Sequence, residues 1–157
     1  MPDYHLAQLN IAKMKADIDD PVMKGFVDNL DGVNKVADES QGFVWRLETE
    51  EGDATSIRVF EDNMLIVNMS VWESVAELRT FVYESFHIEI LKRKKEWFHK
   101  FDGMFQVLWW IEAGTIPTVE EAKDRLAYLQ ANGESEYAFT FRHSIPASTE
   151  HLKLPLE

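Results

Sequence analysis

Tyr83 and His87 stand four residues apart, so a helix through this segment would put both on one side. An imidazole takes and returns a proton near neutral pH, and a phenol holds or protonates an oxygen. Together they suit proton abstraction from a weakly acidic hydroxyl or carbon. The same pair would equally suit a helix face whose histidine is hydrogen-bonded at the edge of a core. A second set of polar residues lies in strand-like segments. Gln8 and Asn10 alternate onto one side of the first such segment, and Asn68 and Ser70 onto one side of a later one. Arg46 interrupts the apolar run at residues 43–47. Polar groups turned into an apolar sheet need partners, which a ligand, a neighbouring strand or a second copy can supply. The five tryptophans, Trp72 and Trp97 among them, offer flat walls for an aromatic ligand or bulk for core and interface.

Other chemistries find less support. The histidines His5, His87, His99, His143 and His151 include no pair four apart on a helix, and the acidic clusters at 17–20 and 48–53 lack calcium-loop spacing. No metal site is expected. Glycine-rich phosphate loops, dinucleotide fingerprints and nucleophile elbows are absent. With no cysteine there is no disulfide, thiolate zinc site or cysteine nucleophile. The 28 acidic residues outnumber 16 basic ones for a net charge of −12, which argues against nucleic acid and against anionic membranes as partners. The basic run Lys92, Arg93, Lys94 and Lys95 spreads around a helix and reads as a solvated face. The N-terminus carries no signal-like apolar core and no apolar run approaches membrane-spanning length, so the expected compartment is the cytoplasm.

These residues need elements to hold them. With 157 residues and 45% hydrophobic content, the chain suits one packed domain. Residues 4–12 read as a first strand. Asp20-Pro21 caps a helix whose stripe is Val22, Phe26, Leu30, Val33 and Ala37, running to about Glu39. Residues 43–47 and 64–72 are strands. Ser74 and Glu77 form a capping box before a helix bearing Val75, Leu78, Val82 and Phe86, with helical character to about Lys100. Residues 105–111 are a strand. Thr118 and Glu121 form a second capping box, opening a helix with Val119, Ala122, Leu126 and Leu129 on one face and Gly133 at its end. Residues 138–141 read as a last short strand. The expected fold is α+β: a ferredoxin-like antiparallel sheet with helices on one face, over residues 1–146, and a loose tail at 147–157. Both strand faces carry large apolar groups, and helices are expected to cover only one. The bare face then calls for a second copy, sheet against sheet.

Several segments resemble a known family. NMSVWES at 68–74, FVYESFH at 81–87, RKKEWF at 93–98, LWWIEAGTIPTVEEA at 108–122 and AFTFR at 138–142 are similar to the DUF3291 family of domains of unknown function. That resemblance implies membership of the dimeric α/β-barrel superfamily, which includes antibiotic-biosynthesis-type monooxygenases, haem-degrading enzymes and muconolactone-isomerase-like proteins. It implies a ligand cleft between helices and sheet, and a monooxygenase-like or isomerase-like enzyme acting on a small aromatic or polyketide-type substrate without organic cofactor or metal. On this reading the substrate supplies the electrons to dioxygen. His87 is the base, Tyr83 and Asn68 orient the substrate, Trp72 and Trp97 wall the pocket, and Arg46 and Asn10 contribute binding contacts. The alternative is a non-catalytic dimer that binds a small molecule or a protein. Haem is not expected, because the position where the resemblance would put its axial ligand is Lys92, whose ammonium has no lone pair for iron. The expected partners are a second copy of the chain and a small-molecule ligand.

Overall fold

A computed structural model describes residues 4–48, 64–84, 92–100 and 104–143. Four strands form one antiparallel sheet: β1 (Tyr4–Lys13), β2 (Phe43–Arg46), β3 (Leu65–Trp72) and β4 (Gln106–Glu112). Their spatial order is β2-β3-β1-β4. Helix α1 (Lys24–Glu39) links β1 to β2, α2 (Val75–Glu84) follows β3, and α3 (Val119–Asn132) follows β4. The first six elements give the split β-α-β topology expected from the sequence, an α+β ferredoxin-like fold.

The local signals set the boundaries. The Asp20 carboxylate accepts the Val22 N–H at 2.9 Å, and Pro21 opens a single 3-10 turn (Pro21–Met23) that feeds α1. Gly25 and Gly32 do not interrupt that helix. Gly25 lets α1 approach Trp97 closely, since a Cβ there would lie 3.2 Å from the indole. At α2 the Ser74 hydroxyl accepts the Glu77 N–H at 3.2 Å and donates to the Glu77 carboxylate at 3.0 Å. Thr118 Oγ1 accepts the Glu121 N–H at 3.0 Å, and Gly133, at φ 83°, closes α3 with its N–H on the Leu129 carbonyl.

Both faces of the sheet are covered by this chain. Ala7, Leu9 and Ile11 of β1, Val67, Met69 and Val71 of β3, and Val107, Trp109 and Ile111 of β4 form one core with Ala122, Leu126 and Leu129 of α3. All nine strand residues are buried. The opposite face carries α1 and α2. Here the expectation of a bare face is corrected: α3 lies beyond the six-element unit and covers the second face itself. The apolar alternation therefore no longer calls for a second copy. Arg125 of α3 is buried as well, its guanidinium 3.8 Å from the Tyr137 ring centre and its Nη1 donating to the Tyr137 carbonyl at 2.8 Å. Desolvation pushes its pKa below the ordinary arginine value, against the opposing pull of Tyr137 and Glu121.

Two further boundaries differ from the sequence reading. Residues 138–141 form no strand: a bridge pairs Leu108 with Phe139, and Phe141–His143 is a 3-10 turn. Helical character does not reach Lys100. Lys94–Glu96 is a 3-10 turn and Phe98 then bridges to Met14. That bridge extends the sheet past the end of β1, and its hydrogen bonds hold the backbone extended where periodicity alone favours a helix. The tail expected at 147–157 lies outside the described residues. Among the described residues no helix is long and apolar enough to cross a membrane.

Candidate functional site

Strand register arranges the face under α1 and α2 into rows. The first is aromatic and apolar: Trp110, Leu6, Trp72 and Phe43. The second is Leu108, Gln8, Ser70 and Arg46, and the third is Gln106, Asn10 and Asn68. A fourth, Ala12 and Ile66, is apolar again. Two polar rows thus divide two apolar clusters on one face. Leu6, Trp72, Leu78, Phe81 and Ala37 belong to one cluster, and Met14, Met23, Ile66 and Trp97 to the other. Met23 and Phe26 tie the start of α1 to the second, while Val33, Val36 and Ala37 tie its end to the first. The helix bridges the clusters, with the polar rows between them.

Burial is uneven across those rows. Gln8 and Ser70 are buried, Asn10 and Gln106 are half-buried, and Asn68 is exposed although it sits within β3. The exposure of Asn68 marks an opening on this sheet face, a point that the described helices leave uncovered. A hydrogen-bonded chain runs into it. Trp72 Nε1 donates to Ser70 Oγ at 2.8 Å, Gln8 Nε2 donates to the same oxygen at 2.9 Å, and Gln8 Nε2 also donates to Asn68 Oδ1 at 2.7 Å. The chain satisfies buried donors that would otherwise each cost about 1–3 kcal/mol. Chemically, the opening can orient a neutral or anionic oxygen through amide donors.

The sequence-derived candidates fall into three groups. Asn68, Asn10 and Trp72 lie on this face, and Asn10 pairs directly across from Asn68. Trp72 is fully buried, stacked on Phe81 at 5.2 Å and edge-on to Phe43 at 5.5 Å, so it reaches the opening only through Ser70. Arg46 lies in the second row but is engaged: its Nε donates to Asp38 at 2.7 Å and its Nη2 pairs with Glu48 at 3.0 Å. The partners that an arginine in an apolar strand needs are thus carboxylates of this chain. A surface depression of about 340 Å³ lies beside it, lined by Asp38, Phe43, Trp45 and Glu48. Its carboxylates already hold the guanidinium. Trp97 and Tyr83 are placed apart from the polar rows. Trp97 is buried in the second cluster, with the Arg93 guanidinium 4.8 Å from its ring. Tyr83 is half exposed, its ring edge-on to Phe141 at 6.0 Å. His87 lies outside the described residues. Lys92 is exposed. Among the described residues no three His, Asp or Glu side chains gather as metal ligands.

Sequence reasoning placed Gln8 beside Asn10 in the polar strand set without assigning it a role, and passed over Gln106. Gln8 had a signal: a large polar side chain among Leu6, Ala7 and Leu9 must find partners. Gln106 had none, since it stands at the margin of the strand read at 105–111, next to its first residue.

The family described as "Domain of unknown function (DUF3291)" matches residues 5–154. No curated protein matches the chain. Among solved structures, the chain is similar to a protein of unknown function from Nitrosomonas europaea, at 10% identity over 75% of this chain and 99% of that one, with a TM-score of 0.47. It is also similar to a candidate antibiotic biosynthesis monooxygenase from Nitrosomonas europaea, at 10% identity over 74% of this chain and 93% of that one, with a TM-score of 0.43.

Proposed function

The chain belongs to the DUF3291 family, and from that membership we propose a small-molecule enzyme of monooxygenase-like chemistry that works between α1 and the sheet without organic cofactor or metal. The activity class comes from the motif resemblance. The polar rows between two apolar clusters supply the place, and this is the observation that carries the reading. A small aromatic or polyketide-type substrate would seat its ring against the apolar clusters and its oxygen against Asn68 and Asn10. Loss of a proton from the substrate gives an enolate or phenolate, which passes electrons to dioxygen. Amide donors fixed before the reaction stabilise that oxyanion without reorganising. His87 is the proposed base. Tyr83, set against Phe141, has no part in this version of the site.

Anthrone is a suitable probe: its methylene is oxidised by one dioxygen to a carbonyl with release of one water. Oxygen uptake with anthrone should exceed the uncatalysed rate and fall in Asn68→Ala. No excess uptake with anthrone, together with saturable binding of it, would move the protein to a second reading, a non-catalytic binding module. One observation favours that alternative: Gln8, Asn10, Asn68, Ser70 and Gln106 are all amides or a hydroxyl, and none titrates near neutral pH.

A further inference from the structure

We propose that Gln8 is the positioning residue that sets the polarity of this opening, so that the ligand presents a hydrogen-bond acceptor oxygen to Asn68. The inference rests on the small-molecule reading above and adds what the site selects. Gln8 is 3% exposed and has two N–H hydrogens. One goes to Ser70 Oγ at 2.9 Å and the other to Asn68 Oδ1 at 2.7 Å. The Asn68 carbonyl oxygen is thereby turned inward and engaged. An amide is planar, so its NH₂ must then face away from Gln8. Among the described residues that NH₂ donates to nothing, and Asn68 is exposed.

The direction of the relay follows from its inner end. Trp72 Nε1 is donor-only, so Ser70 Oγ must accept from it at 2.8 Å. A reversed relay would have Ser70 O–H and the Asn68 NH₂ both donating to the Gln8 carbonyl. It would give up both of the donor bonds that Gln8 makes to Ser70 and Asn68. The structure carries the first arrangement, with Gln8 Nε2 as the donor to both oxygens. The chain Trp72, Ser70, Gln8, Asn68 therefore transmits one polarity outward and ends in a pair of donors. Carbonyl, enolate and phenolate oxygens fit such an end; ammonium groups do not.

Side-chain amide NMR tests this on ¹⁵N-labelled protein, with 4-nitrophenolate and benzylammonium as probes. The Gln8 NH₂ pair should exchange with solvent at least about tenfold more slowly than the Asn68 pair, reflecting its burial and its two bonds. Nitrophenolate should shift the Asn68 pair and leave the Gln8 pair in place, and benzylammonium should shift neither. Gln8→Glu, which gives up the two donors, should weaken nitrophenolate binding about tenfold. Should that carboxyl prevent folding, Gln8→Met keeps the volume and frees the Asn68 amide to rotate, so nitrophenolate should again bind more weakly. A protected Asn68 pair beside a fast-exchanging Gln8 pair overturns the proposal. Binding of benzylammonium in preference to nitrophenolate overturns it too. The expected amide pattern with neither probe bound upholds the Gln8 assignment and refutes the small-molecule reading instead.

Discussion

Trp109 Nε1 donates to Glu121 Oε1 at 3.0 Å, joining the centre of β4 to the first turn of α3. Glu121 is the last residue of a capping box, but its carboxylate turns to the sheet, while its own N–H still takes the Thr118 cap. One side chain thus ties the helix to the face that it covers. Arg125, one turn on, feels the same carboxylate.

Replacing Glu121 with Ala should therefore cost about 1.5–3 kcal/mol, the value of a hydrogen bond to a charged group. Urea unfolding reads this as a lower midpoint. Glu121→Gln keeps an acceptor for the indole and should lose less than half as much. Equal losses in the two variants would show that the contact with Trp109 contributes nothing and that only the charge near the helix N-terminus matters.

Gly42 occupies the turn between α1 and β2 at φ 84°. A Cβ there would run into the Glu77 carboxyl group, which rests on the turn. Gly42→Ala is expected to lose about 1–3 kcal/mol from left-handed backbone strain plus the clash. Adding Glu77→Ala removes the clash and leaves the strain. Thermal or urea unfolding of the double variant should then recover part of the loss. Strict additivity would mean that the two residues do not meet.

The Arg93–Glu96 pair gives a pH expectation. Its Nε···Oε2 distance is 2.9 Å, and the hydrogen bond from Arg93 holds the Glu96 carboxyl below its ordinary pKa while Arg93 is raised. A carboxyl depressed on folding contributes stability above its unfolded pKa. That contribution disappears as pH falls through the lower folded value, so the window lies at and below the ordinary glutamate range. Both groups are exposed, so the effect is small and screened by salt. A carboxyl ¹³C titration should show Glu96 moving up toward the ordinary value in Arg93→Met. An unchanged midpoint would remove the pair from the account.

Much of this architecture is legible in the sequence because its causes are local. Asp20-Pro21, Ser74 with Glu77 and Thr118 with Glu121 mark helix starts through side chains two or three residues away. Alternation along β1 and β3 puts Asn10 and Asn68 each on a definite strand face. What alternation cannot supply is register, and register is what sets Gln8 opposite Ser70 and Asn10 opposite Asn68. The cover over the second face was missed for a similar reason. Val119, Ala122, Leu126 and Leu129 declare an apolar helix side without saying which sheet face receives it. Tyr83 shows the limit of a four-residue step: spacing fixes which residues share a side, not which side looks inward. Leu78 and Phe81 take the buried side of α2, and Tyr83 remains with Arg79 on the outside, both against Phe141.

Trp72→Phe should separate packing from polarity at the inner end of the hydrogen-bonded chain. Phe keeps the aromatic contacts to Phe43 and Phe81 but removes the N–H that Ser70 Oγ accepts at 2.8 Å. The lost bond and smaller ring should cost about 1–3 kcal/mol in denaturant unfolding. Ser70→Ala leaves both the indole N–H and one Gln8 N–H without an acceptor, so it should cost at least as much despite removing a single oxygen. The two changes act on one bond. Their double variant should lose less than the sum of the single losses, by about 0.5–1.5 kcal/mol. Full additivity in that cycle would show that Trp72 and Ser70 are energetically independent, and the chain to Asn68 would then begin at Ser70 rather than at the indole.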